Sequence, residues 1–298
     1  MKDDNAPPAY QATDPEAQGL NSQQPFMAPT NNTNNSPFAT SDDFDYSTKI
    51  ASCSPKVRKN FQAKVYTILS SQLLLTLSLG CATYKFETMK YFFQTHIGFF
   101  YLCMFVSLIA CFWIALSPNP DDYLSDLQES TNQFDLTSNN LPWYVLSKRG
   151  QQILLGIFTL AEAYTLTTVT LMYDQQTVLS AILITTMVVL AVTMLAVSDR
   201  FQMCFETMNS IYYWMYGAVW LLIAIGFSSF IFGWNSKMNL IYGWLGAIVF
   251  TIYLFVDTQL IFRKVSLGDE IKCAMMLYLD IINLFLSILR ILSNSSDD

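Results

Sequence analysis

The sequence predicts an all-α integral membrane protein, with seven transmembrane helices behind a polar N-terminal tail. Three observations predict this. Hydrophobic residues make up 52% of the 298, and nearly all of them fall in blocks of about 20 with few charges, the length that crosses a hydrocarbon core of about 30 Å. Polar residues collect in the first 60 positions and in short connectors. Lys and Arg are divided unequally between alternate connectors, as they are when charge fixes the orientation of insertion. The net charge of −7 leaves no basic surface for nucleic acid.

Residues 1–50 are rich in Asn, Ser, Pro, Gln and Asp. They cannot bury enough apolar area to offset chain entropy, so a disordered cytosolic tail is expected. They contain no apolar h-region of a signal peptide, so the first spanning helix is expected to act as its own insertion signal. Within the tail, Pro7-Pro8-Ala9-Tyr10 is a PPxY sequence. WW domains read such segments because their aromatic grooves accept preformed polyproline geometry. Pro7, Pro8 and Tyr10 are therefore a candidate partner motif for a WW-domain ubiquitin ligase.

A membrane domain over 51–298 follows, with apolar blocks near 65–84, 97–116, 152–172, 177–197, 211–232, 240–262 and 273–292. Most connectors are short, so successive helices should pack as antiparallel neighbours. The exception is 117–151, which holds Pro118, Pro120 and the acidic residues Asp121, Asp122, Asp126, Glu129 and Asp135 and reads as a solvated loop. Tyr212, Tyr213, Trp214, Trp234 and Trp143 lie near block ends, where interfacial anchors belong. With the N-terminus in the cytosol, the cytosolic segments hold Lys49, Lys56, Arg58, Lys59, Lys64, Lys148, Arg149, Arg200, Arg263, Lys264 and Lys272. The opposite side holds Lys85, Lys90, Lys237 and Arg290, so the N-terminus is predicted inside. Seven full spans put the C-terminus outside; a re-entrant last segment would keep it in the cytosol.

Six cysteines form no CxxC pair and read as small buried hydrophobes, without a disulfide framework or zinc site. The single histidine, His96, falls at a membrane boundary with no partner for a triad or metal cluster.

Ionisable residues inside apolar blocks carry the functional information, because each costs about 2.5–3.5 kcal/mol at a helix centre. Four stand out: Glu162, Asp257, Asp280 and Arg290. Asp257 lies about 8–9 Å from the predicted end of the sixth span and Asp280 about 10–12 Å into the seventh. Antiparallel neighbours bring the two to similar depth. Two carboxylates in a low-dielectric site do not both ionise comfortably; they share protons and titrate as a unit. Hard carboxylate oxygens also suit Ca2+, with Gln259, Asn283 and Tyr278 as further oxygen donors. The pair is thus either a proton-sensitive cation site or a structural hydrogen bond between helices. Glu162 either lines a cation path or bonds to Thr165, Thr167 or Thr168. Arg290, near a helix end, is placed to snorkel.

At these residues a family resemblance emerges. Tyr242-Gly243-Trp244-Leu245-Gly246-Ala247, Asp257-Thr258-Gln259-Leu260-Ile261 and Tyr278-Leu279-Asp280-Ile281-Ile282-Asn283-Leu284-Phe285 resemble the Bax-inhibitor/lifeguard membrane proteins. Lys64-Val65-Tyr66-Thr67-Ile68-Leu69 with Gln72-Leu73 resembles the start of that family's first helix, and the tail with Leu141-Pro142-Trp143-Tyr144 resembles its fungal branch. The resemblance implies a seven-helix bundle with the last helix central and a pH-sensitive Ca2+ leak. It also implies that Asp257 and Asp280 are the paired-aspartate sensor. It implies roles in endoplasmic-reticulum Ca2+ balance, the unfolded protein response and programmed cell death, with vacuole and mitochondrion as further locations. Some members place an arginine of the second helix against the aspartates; the second block here has no Arg or Lys.

Enzymatic activity is not expected. No P-loop occurs, neither aspartate sits in the GxGD of intramembrane aspartyl proteases, and no histidine lies inside a span to serve a serine nucleophile. No cofactor is expected either, Ca2+ entering only as a transported ion.

Overall fold

A computed structural model describes residues 55–120, 123, 142, 144–198, 200, 205–233, 236–263 and 268–296. Pro7, Pro8 and Tyr10, the acidic residues of 121–135, Trp143 and Trp234 lie outside that set. Among the described residues there are eight helices and no strand. In order they are α1 (Pro55–Lys85), α2 (Glu87–Thr95), α3 (Ile97–Leu116), α4 (Lys148–Thr170), α5 (Gln175–Val197), α6 (Phe205–Phe232), α7 (Ser236–Arg263) and α8 (Glu270–Ser296). All except α2 are long and apolar enough to cross a membrane.

Local chemistry explains several boundaries. α1 begins at Pro55, ten residues before its apolar block. Proline suits a first helical turn, where its missing N–H would have no partner in any case. The exposed Lys56 and Lys59 ride on that polar extension. Ser147 caps α4 by accepting a hydrogen bond from the Gly150 N–H at 3.2 Å. Gly233 ends α6 in the left-handed region at φ 79°, a conformation that favours glycine. α2 is an element the hydropathy pattern does not predict: nine amphipathic residues that bury only Phe93, which stacks on Tyr164 of α4 at 4.3 Å. His96 sits between α2 and α3, with its Nδ1 3.0 Å from the Phe92 carbonyl. α8 is one continuous helix of 27 residues, about 40 Å long, enough to cross a membrane.

α8 occupies the centre, packed most extensively on α7 and also on α1, α3, α4 and α5. In the apolar windows of α4 and α8, 56% of residues are buried, against 11% in α6, so the bundle has a defined inside and an outer face for lipid. Leu277, Tyr278, Leu284 and Leu289 of α8 pack in one core with Phe61, Val65, Phe158, Leu254 and Ile261. Lipid tails are as apolar as leucine, so association of helices rests on close packing and not on hydrophobic burial. The α7–α8 contact shows this. A Cβ at Gly243 would lie 2.9 Å from Ile291 Cγ1 and 3.3 Å from the Ser287 carbonyl; one at Gly246 would lie 2.5 Å from Ser287 Oγ. Only glycine lets these backbones approach so closely.

Of the four described cysteines, all free, Cys103 and Cys273 are buried and Cys111 is half-buried. Cys81 is exposed, contrary to the expectation of a buried hydrophobe. Tyr213 and Trp214 point outward as anchors should, whereas Tyr212 beside them turns inward.

Candidate proton and cation site

The close α7–α8 seam positions two acids. Asp257 stands about 9 Å before the end of α7, and Asp280 about 15 Å into α8. Both are nearly inaccessible, at 3% and 6% exposure, and their carboxyl groups lie close enough to share a proton. The phenol of Tyr212, reaching in from α6, donates a second hydrogen bond to Asp257 Oδ1. Asp280 Oδ2 is buried with no hydrogen-bond partner. An unsatisfied carboxylate oxygen in a low-dielectric site is costly and is relieved by a proton or a cation. Tyr253, one turn before Asp257, and Cys273 on α8 are the nearest further ionisable groups.

The other predicted oxygen donors are distributed differently. Tyr278 was expected beside the pair, but it turns to the opposite side of α8. Its hydroxyl lies 2.9 Å from Thr76 Oγ1 of α1, and its ring packs edge-on against Phe158 of α4. Two residues of helix turn a side chain by about 200°, which separates Tyr278 from Asp280. The same geometry turns the fully buried Gln259 away from Asp257. Asn283 does lie on the Asp280 side, but its amide donates to the Leu279 carbonyl of its own helix at 2.8 Å.

Glu162 lies on the far side of α8 from the pair and bonds to Ser107 of α3. Of its expected threonine partners, Thr165 and Thr168 donate instead to the carbonyls of Ala161 and Tyr164, both at 2.9 Å. Nearby, Gln72 of α1 donates to Thr159 Oγ1 of α4 at 2.9 Å, which completes a second polar layer across α1, α3, α4 and α8. Arg290 lies against α7, its guanidinium 4.6 Å from the centroid of the Tyr242 ring.

Among the described residues no three His, Cys, Asp or Glu side chains gather as a metal cluster. Two carboxylates fall short of the six to eight oxygens that Ca2+ prefers. A cation at Asp257 and Asp280 would therefore have to take further oxygens from water.

A family model described as "Inhibitor of apoptosis-promoting Bax1" matches residues 58–297, which covers every described span and both aspartates. The chain belongs to the Bax inhibitor family. Within it, the chain is 53% identical over 266 residues to Bax inhibitor 1 of Saccharomyces cerevisiae, covering 86% of this chain and 90% of that one, which places it on the fungal branch. It is 30% identical over 255 residues to a Golgi anti-apoptotic protein of vaccinia virus, covering 86% and 94%. It is 29% identical over 239 residues to Protein LIFEGUARD 2 of Arabidopsis thaliana, covering 80% and 89%.

One residue of this Bax-inhibitor site escapes the sequence reading: Tyr212. It sits in an aromatic run, Tyr212-Tyr213-Trp214, that looks uniformly interfacial. The signal that separates it is helical phase. The buried Met215 and Leu222 follow it three and ten residues later, the inner stripe of α6.

Proposed function

We propose that this protein is a pH-sensitive Ca2+ leak of an intracellular membrane, the endoplasmic reticulum or the vacuole, with its N-terminal tail in the cytosol. Through Ca2+ balance it would take part in the unfolded protein response and oppose programmed cell death. One observation carries the reading: two buried carboxyl groups in contact between α7 and α8, with one carboxylate oxygen unsatisfied. Protons and cations compete for such a site. One shared proton ties the helices together; a second removes the charge that holds a cation at the pair. The family resemblance implies that acid raises the leak. Glu162, half-buried on the other flank of α8, would supply a further polar station along the cation path, with Asn283 on the Asp280 side.

The link to cell death draws on the relatives, one of which is called an anti-apoptotic protein. The tail adds a partner to the reading: Pro7, Pro8 and Tyr10 would recruit a WW-domain ubiquitin ligase that controls turnover of the protein.

Proteoliposomes loaded with a Ca2+ reporter test the central part. Over pH 5–8 the wild type should pass Ca2+ at a rate that rises as pH falls, above protein-free vesicles. Asp257→Asn and Asp280→Asn should each flatten that dependence. A pH response that survives unchanged in both variants removes the mechanism.

A further inference from the structure

α6 is the span least tied to the bundle. It has the least buried apolar window of the seven spans and packs principally on α7. Tyr213, Trp214, Tyr216 and Trp220 are all exposed on its outer side. Its inner stripe buries Met215 and Leu222, and two further contacts flank that stripe. Towards its C-terminal end Gly226 lies against Tyr242, where an added Cβ would be 3.4 Å from the phenol oxygen, and Tyr242 in turn carries Arg290 over its ring. About 21 Å along the helix, at its other end, the contact is the hydrogen bond from Tyr212 to Asp257 Oδ1.

We propose that Tyr212 is a positioning residue that clasps α6 over the aspartate pair and makes Asp257 the accepting member of that pair. A phenol has one proton to give, and it is aimed at Asp257 Oδ1. Asp257 thus receives from Tyr212 on one side and meets the Asp280 carboxyl on the other. The groups that face the pair are Tyr212 from α6, Tyr253 on α7 and Cys273 on α8. Of these, Tyr212 alone joins a separate, weakly packed helix to it by a hydrogen bond among the described residues. A second proton, arriving in acid, turns Asp257 into a neutral carboxyl. The bond from Tyr212 then loses its charge assistance and about half its strength. α6 is left with the packing of Met215 and Leu222 and its contact at Gly226 and Tyr242, and swings about that contact to uncover the pair. The consequence for flux rests on the Ca2+-leak reading; the clasp itself does not.

The test uses the full chain in nanodiscs, with the native cysteines replaced and spin labels placed at the exposed Ser210 of α6 and Lys59 of α1. Electron–electron distances are measured at pH 8 and pH 5 for this protein and for its Tyr212→Phe variant, and Ca2+ flux is measured in parallel. The labelled parent should give a narrow distribution at pH 8 that broadens or lengthens at pH 5. Tyr212→Phe should show the acid distribution already at pH 8, with leak at pH 8 raised roughly tenfold. A Tyr212→Phe distribution at pH 8 that matches the parent overturns the clasp, whatever the flux. Distances that change as expected in protein that leaks no Ca2+ support the clasp and remove the leak reading instead.

Discussion

Two tyrosines in the bundle show how little a residue type reveals without its partner. Tyr278 and Tyr212 both donate buried hydrogen bonds between helices, but to different chemistry. Tyr278 meets a neutral hydroxyl, Thr76, which itself donates to the Gln72 carbonyl at 2.9 Å. Removing the Tyr278 hydroxyl leaves Thr76 satisfied. Tyr278→Phe should therefore cost only about 0.6 kcal/mol, the average for such bonds between membrane helices, and leave the pH profile of flux unmoved. Thermal unfolding in detergent and the proteoliposome assay check both halves. Tyr212 meets an acid, so its removal should move the pH profile. Equal effects of the two Tyr→Phe changes on that profile would contradict this division.

The helices show which features are legible in sequence and which are not. Twenty apolar residues in a row have one physical outcome in a bilayer, and the third element was accordingly read at its observed limits, Ile97–Leu116. α1 runs ten residues further than its apolar block because helix formation needs propensity and a start signal, not hydropathy. α2 stayed hidden because nine amphipathic residues lie below the length of any span. The aspartates were legible because a charge in an apolar block is expensive. The rotational phase of their neighbours is not, which is why Tyr278 and Gln259 read as oxygen donors to the pair although both turn away from it. Close approach was equally hidden: Gly243 and Gly246 carried only a resemblance until α8 was seen lying against them. At Gly243 an added Cβ meets backbone atoms of α8 as well as a side chain. Gly243→Ala should therefore destabilise by about 1–3 kcal/mol through overpacking. At Gly226 the nearest atom is the movable end of Tyr242, and Gly226→Ala should be close to neutral. Melting temperatures of the two variants in one detergent decide the point; equal losses would contradict the seam.

At the scale of the whole molecule, α8 is the axis on which two polar layers are mounted. Asp280 faces α7 and α6 on one side, and Tyr278 faces α1 and α4 near Glu162 on the other. Removal of residues 2–50 should leave flux and its pH dependence intact in proteoliposomes, because every residue in this arrangement lies beyond position 60. Loss of flux on that deletion would tie the tail to the membrane activity. The central claim is that the two aspartates act as one unit. A double-mutant cycle on the pH dependence of Ca2+ flux tests it most directly, with Asp257→Asn, Asp280→Asn and the two combined. A shared site predicts that each single change removes nearly the whole pH response and that the double change removes no more. Effects of the two changes that simply add would contradict it, and would make the contact between α7 and α8 a structural one.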